Sequence, residues 1–113
     1  MNTLERTLTS NEVAKMIGTT NGELMKSIRT YISHLADGNI PSGDFFIAST
    51  YKDANNQERA NYLLTKKGCE MVSNKITGAK GTQFTAKYVS RFNDMESHIK
   101  QEVDTSHLSP ELQ

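Results

Sequence analysis

The sequence holds one cysteine, two prolines and no tryptophan in 113 residues, and its 13 Lys and Arg residues are balanced by 13 Asp and Glu. A lone Cys69 excludes a disulfide framework and a cysteine-rich zinc site, and it suits a reducing, cytoplasmic setting. No apolar run approaches the roughly 20 residues that a membrane-spanning helix needs. Met1 to Thr9 is polar and charged, with no apolar stretch of signal-peptide length. The hydrophobic content, 35%, is low, yet the aromatic and branched residues recur too regularly for a disordered chain. At this length a single core is expected.

A zero net charge argues against a uniformly basic nucleic-acid binder, but the charges are unevenly placed. Residues 15–91 hold eleven bases and six acids, whereas residues 92–113 hold one base and five acids. A basic body joined to an acidic end points to an anionic partner for the body.

Local patterns predict an α+β domain. Thr9 or Ser10 can cap a helix in which Val13, Met16 and Ile17 share a face, and Gly18 ends it. After a turn at Thr19 to Gly22, a second helix through Ala36 puts Leu24, Ile28, Tyr31, Ile32 and Leu35 on one side. Its opposite arc collects Lys26, Arg29, Thr30 and Ser33, flanked by Glu23, Ser27 and His34. A short helix, a tight turn and an amphipathic helix make a helix-turn-helix pattern. The breakers of Asp37 to Asp44 separate it from a hairpin, with strands at 45–51 and 59–64 around the polar turn Asp53 to Glu58. A hairpin in that place is a wing, so the expected fold is a small winged helix-turn-helix domain, mainly α. Thr65 can cap a third helix through Ile76, with Gly68 oddly placed inside it, where a close backbone approach to a neighbour would require glycine. A long last helix, from about Thr82 to Val103, carries Phe84, Tyr88, Phe92, Met95, Ile99 and Val103 in one stripe. The expected division is a lead-in at 1–8, the domain at 9–103 and a linker at 104–113 leading to a further C-terminal domain.

The run Tyr62-Leu63-Leu64-Thr65-Lys66-Lys67-Gly68-Cys69 is followed by Lys75-Ile76-Thr77-Gly78-Ala79-Lys80-Gly81. Then come Phe84-Thr85-Ala86-Lys87-Tyr88 and Phe92-Asn93-Asp94-Met95-Glu96. This ordered set resembles the N-terminal domain of Rha-type phage regulatory proteins. Thr9-Ser10, Glu12-Val13-Ala14 and Ile28-Arg29 match the first part of that family. The resemblance runs from about Thr7 to Ile99. It implies a phage or prophage regulator of the kind described as an antirepressor, acting in the cytoplasm of a bacterial host. The sequence departs from the family at Thr19-Thr20-Asn21-Gly22, where the family often has a basic-His pair, at Cys69, where an aromatic is usual, and at Gly81, where alanine is usual.

The expected role is double-stranded DNA binding, with the Thr20–Leu35 helix in a major groove. Lys26, Ser27 and Thr30 would read bases and Arg29 would contact phosphate, while Lys52 and Arg59 on the wing would grip the backbone. Glu23 opposes this unless it accepts from a cytosine amino group. The alternative is a protein-interaction module that binds and displaces a phage repressor without touching DNA; a third is a tethering or oligomerisation domain. Met95, Ile99 and Val103 are the expected seam of a homodimer. Lys66, Lys67, Lys75, Lys80, Lys87 and Arg91 read mostly as solvated surface. His34, His98 and His107 are too dispersed for a metal site, Cys69 reads as a buried thiol, and no phosphate loop, catalytic carboxylate pair or dinucleotide fingerprint appears. Neither an enzyme nor a cofactor is expected.

Overall fold

The computed structural model describes the backbone of residues 6–111 and the side chains of residues 6–96. Its elements are β1 (Leu8–Thr9), α1 (Ser10–Ile17), α2 (Asn21–Asp37), β2 (Phe46–Lys52), β3 (Glu58–Leu64), α3 (Lys66–Asn74) and α4 (Gly78–Glu111), with one 3-10 turn at Ser42–Asp44. The first five residues of the expected lead-in lie outside the described residues.

The starts of α1, α2 and α3 each follow from a threonine hydroxyl that accepts from an orphan amide. Thr9, not Ser10, caps α1: its hydroxyl accepts from the Glu12 N–H at 3.1 Å, and the Glu12 carboxylate accepts from the Thr9 N–H at 3.2 Å, a complete capping box. Thr20 caps α2 by accepting from the Glu23 N–H at 3.1 Å, so the helix begins at Asn21, inside the segment expected to be turn. Thr65 caps α3 in the same way through the Gly68 N–H. At the other end of α1, Gly18 takes a left-handed φ of 92° that reverses the chain between α1 and α2.

The hairpin gains a third strand. β3 lies in the middle, with β2 antiparallel on one side and β1 on the other; Leu8 and Phe46 both pair opposite Leu64. That pairing explains why Leu8 is fully buried rather than part of a loose lead-in. Only the base of the hairpin is covered: Phe46 and Leu64 are buried, while Lys52 and Glu58 at its far end are exposed.

One core joins the elements. Val13, Leu24, Ile28, Leu35, Phe46, Leu64, Cys69, Val72, Phe84, Tyr88 and Phe92 form a contiguous buried cluster. Full burial of side chains such as Ile28 or Phe84 contributes about 1.5–3 kcal/mol each. The α4 stripe supplies its aromatic spine, with Phe84 and Tyr88 rings 5.0 Å apart and Tyr88 and Phe92 edge-to-face at 6.4 Å. α3 ends at Asn74, two residues earlier than its pattern suggested. α4 starts at Gly78 rather than near Thr82, because the turn Lys75–Thr77 suffices to reverse the chain. The backbone of α4 remains helical to Glu111, so residues 104–111, expected as linker, continue the helix.

Candidate nucleic-acid interface

The angle between the two helices and the hairpin is set by a small polar network under the apolar core. Ser10, fully buried, donates its hydroxyl to Asn21 Oδ1 at the start of α2 and accepts the Tyr62 N–H of β3 at 3.1 Å. Beside it Asn61, 3% exposed, donates to Asn11 Oδ1 at 2.8 Å. Asn21 also reaches the Ala60 carbonyl at 3.5 Å. α1, α2 and β3 are therefore pinned at one point by side chains that each need the others, since a buried polar group left without a partner costs about 1–3 kcal/mol. Sequence reasoning saw Ser10 only as a capping alternative. The interior partner of such a residue has no local signature.

With that joint fixed, the core side of α2 is Leu24, Met25, Ile28 and Leu35, all buried, and its outer side carries Glu23, Lys26, Arg29, Thr30, Ser33 and His34, all exposed. The Lys26 ammonium and the Arg29 guanidinium make no hydrogen bond or ion pair with any described residue, and the Thr30 hydroxyl folds back to the Lys26 carbonyl at 3.2 Å. Thr20 is exposed beside them, but its oxygen is occupied in capping. Ser27 is displaced from this face. It is half-buried in a crevice with Glu23, Tyr31, Val72, Lys75 and Ile76, between α2 and α3. Across the same crevice the Lys75 ammonium stands 5.7 Å from the centre of the Tyr31 ring, a cation–π contact that places a base from α3 alongside α2.

The wing residues stand differently from what charge counting suggested. Arg59 donates through Nε to Asp53 at 2.9 Å, and Lys52 lies directly across the ladder from Glu58, which accepts from the Thr50 hydroxyl. The tip thus carries two bases beside two acids. The Asp53 carboxyl is held below its usual range by the Gln57 backbone amide first and by Arg59 next, and the Arg59 guanidinium is correspondingly raised by Asp53.

Other basic residues are committed to the fold. Arg91 pairs with Glu12 at 3.0 Å, tying α4 to the capping box of α1, and Lys87 donates to the Met16 carbonyl in the last turn of α1, where helix carbonyls lack partners. Met95 is half-buried against the domain's own core. Ile99 and Val103, the rest of the expected dimer seam, have side chains outside the described residues. Burial pushes the Cys69 thiol up to about 12, with a smaller push from Glu12, so the thiol stays protonated at neutral pH. Among the described residues no group of His, Cys, Asp and Glu is placed to hold a metal ion, and no described helix is long and apolar enough to cross a membrane. Ile40 is the one large apolar side chain exposed among the described residues, at 47%.

A short helix, a glycine turn, an outward-facing second helix and a hairpin pinned beside it form a winged helix-turn-helix-like arrangement within a small α+β domain. The chain belongs to the phage regulatory protein Rha family, which matches residues 8–97. It is 48% identical over 91 residues to YoqD of Bacillus subtilis (strain 168), an SPbeta prophage-derived protein named as an antirepressor. The match covers 80% of this chain and 36% of YoqD, so the chain spans little more than a third of that relative. No solved structure matches it.

Proposed function

We propose that this domain is a DNA-binding part of a phage or prophage regulator, non-catalytic and without a cofactor, acting in the host cytoplasm. In this reading α2 enters a major groove of double-stranded DNA and the β2–β3 hairpin lies beside it. The observation that carries this is the outer arc of α2, from which Lys26 and Arg29 project, exposed and with no hydrogen bond or ion pair from either side chain to any described residue. The wing flanks this arc through Asn21 and Ala60, and Lys75 flanks it from the side of α3. Lys26 and Thr30 are the base-reading side chains and Arg29 the phosphate contact, with Ser27 at the margin. Two copies joined along the end of α4, through Ile99 and Val103, would present two such helices to half-sites one turn of DNA apart.

The test is retention of a random pool of duplexes by the full chain across a salt series. The expected result is an enriched sequence and an affinity that falls with salt as phosphates are neutralised. Lys26→Ala should cost about 1–3 kcal/mol of discrimination at one position, while Arg29→Ala should weaken all sequences alike and flatten the salt slope. No retention at low salt would sink the DNA reading. The second reading, binding to a phage repressor protein, draws support from the name of YoqD and from the balanced charge at the wing tip. With so little apolar surface exposed among the described residues, such a contact would be polar.

A further inference from the structure

The hairpin tip is built with more care than a charge-bearing loop requires. Its turn is closed by the Asp53 N–H donating to the Gln57 carbonyl at 3.0 Å and the Asn56 N–H donating to the Asp53 carbonyl at 2.9 Å. One carboxylate oxygen of Asp53 then accepts the N–H groups of both Asn55 and Gln57, each at 2.9 Å. This holds the carboxylate in place from two backbone points. The other oxygen takes Arg59 Nε at 2.9 Å. Because only Nε is used, both terminal amino groups of the guanidinium remain without a hydrogen-bond partner among the described residues. Asp53 is largely covered, at 18% side-chain exposure, and Arg59 stands out at 57%.

We infer that Asp53 is a positioning residue that presents Arg59, so that the wing makes a directed two-point hydrogen-bonded contact with duplex DNA in place of a diffuse attraction of charge. The inference rests on the DNA-binding reading above. Its chemistry is that of a fork of N–H donors meeting a pair of acceptors, either phosphate oxygens or a base edge. A guanidinium held in advance loses less rotamer freedom on contact than a free one. The local charge balance supports this view. With Asp53 and Glu58 beside Lys52 and Arg59, the tip adds little long-range attraction, and orientation is what it has to offer.

Asp53→Asn in the full chain separates the two ideas by sign. The variant keeps an amide oxygen to accept from Asn55 and Gln57, but its amino group cannot accept from Arg59 Nε, and the protein gains one positive charge. Diffuse attraction predicts tighter DNA binding and a steeper salt slope. Presentation predicts binding roughly five- to tenfold weaker, the low end of what a bidentate arginine contact is worth. Arg59→Lys, which retains the charge but removes the fork, should weaken binding to the same degree, and the double variant should be no weaker than either single one. The probes are the duplex enriched from the random pool and a scrambled duplex of equal length. Loss on both assigns the contact to phosphate, and loss on the enriched duplex alone assigns it to a base edge; either supports the inference. Unchanged or tighter binding by Asp53→Asn, with Arg59→Lys also unchanged, overturns it while the DNA reading stands. If the parent chain retains no duplex, the DNA reading itself has failed and the inference goes with it. That includes the case in which Asp53→Asn weakens only the binding of a repressor protein.

Discussion

Gly68 lies in the first turn of α3, where a Cβ would come within 2.2 Å of the Phe45 carbonyl oxygen. The same carbonyl accepts from the Thr65 N–H at 3.1 Å, so the base of the hairpin and the start of α3 meet backbone to backbone. Gly68→Ala is expected to cost about 1–3 kcal/mol in urea unfolding, since the carbonyl cannot yield without opening that contact; a change within a few tenths would show that the junction is soft. The anomaly of a glycine inside a helix was visible in the sequence. A close backbone approach could be inferred there too; its partner could not, because Phe45 is remote in the chain. Gly81, where the related family tends to have alanine, has the same character: a Cβ there would come within 2.2 Å of the Ile76 carbonyl oxygen. The turn into α4 is correspondingly tight in this chain.

Within the elements, patterns of period 3.6 and local caps were enough to locate α1 and α2 and to divide α2 into buried and exposed faces. They failed at edges. On an isolated helix Ser27 flanks the exposed arc, whereas in the fold it is half-buried in the crevice between α2 and the end of α3. For the wing, counting Lys52 and Arg59 suggests an electrostatic grip but says nothing of the Asp53 and Glu58 that stand beside them. Its acid response follows from the actual pairing. The folded-state pKa of Asp53 lies below 3.8, so its contribution is fully present above that value and is lost as pH falls through the lowered one. An NMR titration following the Asp53 carboxyl and the Arg59 Nε–H should therefore show the pair intact at pH 5 and a midpoint below 3.8; a midpoint at or above it would mean that the anchor is not formed in solution.

For the molecule as a whole, the zero net charge resolves into roles. Arg91 and Lys87 bind α4 to α1, and Arg59 is held by Asp53. The basic body therefore presents fewer uncommitted cations than its composition suggests. In the proposed DNA-binding reading, a modest electrostatic footprint of this kind suits a dimer better than a monomer, because two copies would double the phosphate contacts. Sedimentation of Ile99→Asp against the parent tests the α4 seam: the expected outcome is a fall from dimer to monomer mass, and equal masses would remove it. Caps, periodicity and motif order act through neighbours a few residues apart, so the existence of the helices and the hairpin, the aromatic stripe and the family were legible in the chain alone. That Leu8 completes the sheet, that Ser10 joins α1 to α2 and β3, and that Arg59, Lys87 and Arg91 are committed within the fold emerged from the folded arrangement. Those outcomes depend on packing and pairing between residues as far apart as Glu12 and Arg91, and no local pattern encodes such a distance.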